Sequence, residues 1–279
     1  MMTEEVIFRP YGKYAGTNVF SKSIPRDRFG NVAGPEYDLS PDDTFKGQSI
    51  AVLQFYTGEG FAFNSPMAAL KRKGFEVIRW TSMPDLETFR KALFKVSQLW
   101  VVSGTSGTSW TPTHLDLVQK LVNARKGLFV WADNDPFTAD ANRILSHLTQ
   151  TSELTIRGNF LGDQVLRVAE TNSQAGFTGK HLTTTGLETL YEGITISTIQ
   201  GPTKQYRSLI RSSDGNVVTG CHDNDKVRIL IDGGFTRLYE DRWNRTAGTA
   251  RFVTNAACWL YNWEGRQKQK IAARQAGGR

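Results

Sequence analysis

Lys126-Gly-Leu-Phe-Val-Trp-Ala-Asp-Asn-Asp135 runs from a short apolar stretch, rich in aromatic and β-branched residues, into an acidic loop. A run of that length and make-up, closed by polar residues, is the pattern of a strand buried on both faces. Pro136 then occupies the favoured first position of a helix in which Phe137, Ala141, Ile144, Leu145 and Leu148 recur at helical spacing. Strand, polar loop and helix in that order make one β-α unit.

Working back along the chain, the same unit recurs three times. Ser49-Ile-Ala-Val-Leu-Gln-Phe-Tyr56 precedes a helix near Pro66–Lys73 that Gly74 ends. Phe75–Trp80 precedes a helix over Pro84–Lys95, and Gln98-Leu-Trp-Val-Val102 precedes Ser103-Gly-Thr-Ser-Gly107 and the helix His114–Arg125. Parallel strands need a crossover, so four such units predict a flavodoxin-like open, mostly parallel sheet with helices on both faces. Beyond about residue 150 the pattern changes to a β-rich C-terminal part: short pieces at Leu154–Ile156, Tyr191–Ile199, Ser208–Arg211, Val217–Cys221 and Val227–Ile231. Hairpin turns are expected at Ser213–Gly215 and Asp223–Asp225. A helix over Thr249–Tyr261 closes the domain. Trp80, Trp100, Trp131 and Trp259 fall at core positions of these elements.

Residues 1–46 hold Pro, Gly and scattered aromatics (Phe8, Tyr11, Tyr14, Phe20) without sustained periodicity, and read as an irregular arm lying on the domain or on a neighbour. The α/β domain spans 47–263, and 264–279 is a basic tail. The chain has 279 residues, a formal charge of +7 and two cysteines far apart, Cys221 and Cys258. Neither a disulfide framework nor a zinc site is indicated, no apolar run is long enough to cross a membrane, and the reading is cytoplasmic. Much of the positive charge sits in Arg266, Lys268, Lys270, Arg274 and Arg279. That tail gives nucleic acid a place to bind, although a solvated terminus explains it as well.

Three stretches resemble the class I glutamine amidotransferase-like superfamily across roughly residues 48–262. They are Val101-Val-Ser-Gly-Thr-Ser-Gly107, Lys126–Asp135, and Val227-Arg-Ile-Leu-Ile-Asp-Gly-Gly234 with Asn255-Ala-Ala-Cys-Trp-Leu260. The resemblance implies a nucleophile elbow at the end of the strand 127–131, where that family carries cysteine and this chain has Asp133. It therefore resembles the branch lacking the nucleophile, and implies a non-catalytic domain acting as a protein-interaction or ligand-binding module. Its partner would be another protein or a second copy of the chain.

Ligands of open parallel sheets bind outside the carboxyl ends of the strands. A hydrolase alternative places Asp133, Glu59 and His222 there as catalytic groups, with His181 as a second source of a base. Gly58, Gly60, Ser103, Gly104, Thr105, Asn134 and Arg237 are the ligand-binding candidates, the 103–107 turn as an anion cradle and Arg237 as an anion anchor. The bland readings are a tight turn for 103–107 and an ion pair of Arg237 with Asp232, Glu240 or Asp241. Asp133 and Asp135, with Asn134 and Asp140, offer oxygen ligands to a divalent cation, against which Asp135 can cap the helix that follows Pro136. No cofactor is predicted.

Overall fold

In the computed structural model, residues 3–7, 18–22, 25–26, 28–32, 34, 37–169, 174–224, 227–243 and 248–268 are described. The arm is not wholly irregular: β1 (Thr3–Ile7) and β2 (Asn18–Lys22) pair antiparallel. Phe8, Tyr11 and Tyr14 lie outside the described residues.

The β-α series is present. β3 (Gln48–Gln54), α1 (Asn64–Arg72), β4 (Phe75–Trp80), α2 (Leu86–Lys95), β5 (Gln98–Val102), α3 (Pro112–Asn123), β6 (Gly127–Trp131) and α4 (Ala139–Thr149) follow in order. After them come β7 (Thr155–Leu161), β8 (Val165–Arg167), β9 (Gly176–Phe177), β10 (Thr189–Tyr191), β11 (Thr195–Gln200), β12 (Arg207–Arg211), β13 (Val217–Asp223), β14 (Arg228–Asp232), the short α5 (Glu240–Trp243) and α6 (Thr249–Leu260). The main sheet has the order β4-β3-β5-β6-β14-β13-β12-β9, parallel from β4 to β14 and antiparallel beyond. This is a mixed α/β architecture with a large, mostly parallel sheet. The antiparallel pairs β7–β11 and β8–β10 stand outside that sheet.

Strand periodicity divides the core in two. Ile50, Val52, Trp100, Val102, Phe129 and Trp131 pack with α1 and α6, whereas Ala51, Leu53, Leu99, Val101, Leu128 and Val130 pack with α2, α3 and α4. Trp100 and Trp131 are fully buried, each worth roughly 2–3 kcal/mol of transfer free energy. Gly127 is required where α6 meets the sheet, because a Cβ there would lie 2.5 Å from the Leu260 carbonyl oxygen. Among the described residues, no helix is long and apolar enough to cross a membrane.

The stretch 37–46 is held to this body by buried charge. Lys73, fully buried at the end of α1, donates to Asp38, Asp42 and the Ser40 carbonyl, each at 2.8 Å. Arg251 of α6 donates to the same Asp38 at 2.8 Å and to the carbonyls of Gly186 and Gly34. Asn31 is bound to the backbone N–H groups of Glu188 and Thr189. Removing one partner of a buried pair leaves the other charge stranded. Lys73→Ala is expected to cost about 3 kcal/mol in urea unfolding, whereas Lys46→Ala, whose exposed pair with Asp43 is a surface contact, should change stability by about 0.5 kcal/mol or less.

Candidate functional site

The parallel strands β3, β5, β6 and β14 deliver their carboxyl ends to one rim, and the rim is occupied by the chain's own side chains. Asp133, just past β6, is fully buried. One carboxylate oxygen accepts from the Thr195 hydroxyl (2.6 Å) and the Asn134 N–H (2.9 Å). The other accepts from the N–H and the hydroxyl of Thr236, both at 3.0 Å. Asn134 accepts from Thr195 as well. Burial pushes the Asp133 carboxyl up to about 6, against the pull of the hydrogen bonds from Thr195, Asn134 and Thr236. It is a buried bracket between β6, β11 and the turn 235–238, with neither oxygen presented to a substrate.

The 103–107 turn is likewise directed inward. The Ser103 hydroxyl accepts from the N–H groups of Asp140 (3.0 Å) and Ala141 (3.2 Å). The buried Asp140 carboxylate returns to the Gly104 N–H at 2.7 Å and the Trp110 indole N–H at 2.9 Å. Burial raises the Asp140 carboxyl. The first turn of α4 is therefore capped across the crevice, and the Gly104 donor expected for an anion is spent; Thr105 is exposed. The expected cap by Asp135 is corrected. α4 begins at Ala139 rather than Pro136, and Asp135 instead accepts from Thr138 and from the Gly158 N–H of β7.

Arg237 has the structural partner among its alternatives. It is fully buried, 3.3 Å from the equally buried Asp232, and donates to the carbonyls of Gly234 and Glu192. Its guanidinium lies over the Phe252 ring at 5.8 Å. Asp232, its carboxyl raised by burial against the charge of Arg237, accepts also from Thr219 and the Gly234 N–H. Glu192 is buried too, and accepts from the N–H and hydroxyl of Ser213. Arg237 is thus a strut inside the rim and not an anchor at its surface.

After β3, Gly58–Gly60 form a single tight turn. A Cβ on Gly58 would stand 2.7 Å from the Tyr56 hydroxyl, so glycine lets that ring lie over the backbone. Tyr56 packs on Phe137 and Phe235, and Phe61 packs on Phe235 and Tyr239, with centroids 4.7–6.1 Å apart. Glu59 is exposed at the outer edge of this aromatic plug. Burial and hydrogen bonds to Tyr56 and Glu59 hold the Tyr239 phenol far above its ordinary range. Glu240 accepts from the N–H and hydroxyl of Ser65, supplying the anion at the start of α1.

The three expected catalytic groups do not meet. His222 pairs with Ile229, and Ile229 with Leu128 at the start of β6, so His222 lies at the amino ends of the parallel strands, opposite Asp133. It is bound to the Gln205 carbonyl and to Asn224. His181, edge-on to Trp259 at 5.0 Å and hydrogen-bonded to Thr183, is pushed down to about 4 by burial. Its neighbour Cys221, 3.9 Å away, is pushed up to about 12 by burial, so the two form no thiolate–imidazolium pair. Among the described residues, no group of three or more His, Cys, Asp or Glu side chains is placed to hold a metal ion.

Sequence reasoning missed Thr195, Thr236, Glu192 and Tyr239. The first two are hydroxyls with no motif to mark them. Asp232 did carry a signal: an acid ending an apolar strand needs a buried partner, and Arg237 follows it by five residues.

No family model and no curated protein matches the chain. Solved structures do match. The cytoplasmic protein STM3548 from Salmonella typhimurium is 8% identical, covered over 98% of its length by 76% of this chain, with a TM-score of 0.54. The cytoplasmic protein STM1381 from Salmonella typhimurium LT2 is 10% identical, covered over 97% by 77% of this chain, at 0.51. At such identity the likeness is one of fold. An exo-beta-1,4-mannosidase from Opitutaceae bacterium strain TAV5 matches at 0.43 over 36% of its length, too distant to inform.

Two substitutions test this self-satisfied rim. Ser103→Ala should cost about 1 kcal/mol in urea unfolding by uncapping α4. Asp133 binds its proton more tightly folded than unfolded, so its contribution is complete below the ordinary 3.8 and is lost as pH rises through about 6. The stability margin of the wild type over Asp133→Asn should therefore shrink by about 2–3 kcal/mol between about pH 4 and about pH 7. A margin independent of pH would contradict the assignment.

Proposed function

We propose that this chain is a non-catalytic domain of amidotransferase-like, flavodoxin-like type that works in the cytoplasm as a protein-interaction or ligand-binding module. One observation carries the reading: Asp133, at the position matching the elbow, has both oxygens committed to Thr195, Asn134 and Thr236 and none exposed. A nucleophile must reach its substrate and have a base beside it. Neither histidine offered for that work lies at the rim. In support of the flavodoxin-like arrangement, the parallel strands stand as β4-β3-β5-β6-β14, the second beside the first and then the third, fourth and fifth. The cytoplasmic descriptions of the two Salmonella proteins agree with the expected compartment.

A second reading has its own support, since raised carboxyls cluster at working sites and the Asp133 carboxyl is raised to about 6. In that reading a rearranged rim lets Asp133 serve a hydrolase. The two are separated by assaying chromogenic ester, amide and glycoside substrates with and without magnesium and calcium, on the wild type and on Asp133→Asn. The proposal expects no turnover that depends on Asp133 and no rise in melting temperature with either cation. Hydrolysis abolished by Asp133→Asn would replace it with the hydrolase.

A further inference from the structure

Away from the rim, α2 and α3 leave an open apolar groove of about 360 Å³ between them. One wall is the row Arg90, Leu93, Phe94 of α2, and the other is the row Leu117, Lys120, Leu121 of α3, continued by Ala124. Both rows have the three- and four-residue spacing of a single helix face. Leu93 and Leu121 form a buried floor, whereas Phe94 is 84% exposed, the most exposed of the large apolar side chains described. The backbone that carries Phe94 is held. The Lys126 ammonium donates to the carbonyls of Leu93 (2.7 Å) and Phe94 (2.6 Å) and lies 5.9 Å over the Phe94 ring. A large exposed aromatic beside an apolar recess is the arrangement of an interface anchor.

Charge decides what occupies it. The lining contains three cations, Arg90, Lys120 and Lys126, and no carboxylate. Of the acids on these two helices, Glu87 pairs with the groove's own Arg90 and with Lys91, and Asp116 faces His147 at 3.4 Å, so the uncompensated positive charge of the lining rests on Lys120 and Lys126. A second copy of the chain would bring the same cations against these. A duplex or single strand would set phosphates above an apolar floor they cannot use. A bilayer would engage Phe94 but leave the recess behind it unfilled. Resting on the module reading above, we propose that this groove docks an acidic amphipathic helix of a partner protein. The helix's apolar side chains would enter beside Phe94 while its carboxylates meet Lys120 first, with Arg90 shared with Glu87 and Lys126 adding its charge while bound to the Leu93 and Phe94 carbonyls.

The probe is a designed, fluorescein-labelled helix of about 14 residues, four turns, with Leu along one face and Glu on the others, titrated with the full chain. Binding is followed by anisotropy and mapped by amide chemical shifts. Phe94 and Lys120 are exposed, so Phe94→Ser and Lys120→Glu are expected to keep the wild-type melting curve. The inference expects saturable binding that weakens about tenfold in each variant and weakens as salt is raised, with shifts on α2 and α3. Absence of binding, or equal affinity in both variants, overturns it. Shifts confined to Tyr56, Glu59 and Tyr239 overturn the groove while leaving a binding module at the rim. A phosphatidylglycerol vesicle or an oligothymidylate that binds with the Phe94 and Lys120 dependence while the peptide does not overturns the acidic helix as occupant. Asp133-dependent turnover fails the module reading without touching the groove measurement.

Discussion

A polar group that ends a buried strand has no water to turn to, and this requirement at Asp133 organises the rim. β6 is buried along its whole length and delivers a carboxylate into the core. Left unpaired, such a group costs several kcal/mol or stays protonated. Thr195 at the start of β11 and Thr236 in the turn after β14 supply the donors. The pairing joins the parallel sheet to the outer β7–β11 ribbon. Asp232 with Arg237, and Glu192 with Ser213, extend the same solution across the rim. An open sheet that elsewhere leaves its strand ends to a ligand here spends them on itself.

The N-terminal stretch obeys the same rule with the signs exchanged. Lys73 is a buried ammonium whose donors find Asp38, Asp42 and a carbonyl, and Arg251 shares Asp38 from the other side. Lys73 and Arg251 at 2.8 Å, with Arg72 at 4.0 Å, surround one buried carboxylate and offset its desolvation, which no single pair would do as well. Residues 37–46 are thereby made part of the domain's surface.

The β-α series and its helices were legible because periods of two and of about 3.6 residues are written locally. What failed was non-local. Pro136 marks a good helix start by rule, yet α4 begins three residues later because its cap, Ser103, comes from the loop after another strand. The stretch 191–199, read as one strand, breaks into β10 and β11 at Gly193, whose φ of 125° lies outside the range of ordinary side chains. His222 was read as lying between a strand ending at Cys221 and a turn at 223–225, whereas β13 runs on to Asp223, and strand direction carries no local signature. β13 runs antiparallel to β14, which carries His222 to the end of the sheet opposite Asp133. Lys73 reads as one more helix-end cation, and only the folded arm reveals it as buried. Arg266, counted with the basic tail, donates to the Ser97 carbonyl and stacks on Tyr261 at 4.7 Å. Lys268 ends the described part of that tail; Lys270 and Arg274 lie outside the described residues.

The position of β14 has a consequence for how the molecule comes into being. It lies beside β6 near the middle of the sheet, but residues 132–227 separate the two in the chain. During synthesis from the N-terminus, β3 to β6 can assemble with their helices while the far side of β6, among the most apolar strands present, still lacks its neighbour. Until β14 emerges, that edge offers unpaired N–H and carbonyl groups to any other nascent chain. While residues 132 to 227 are being made, that edge of β6 stands open to other chains, and insertion of β14 closes it.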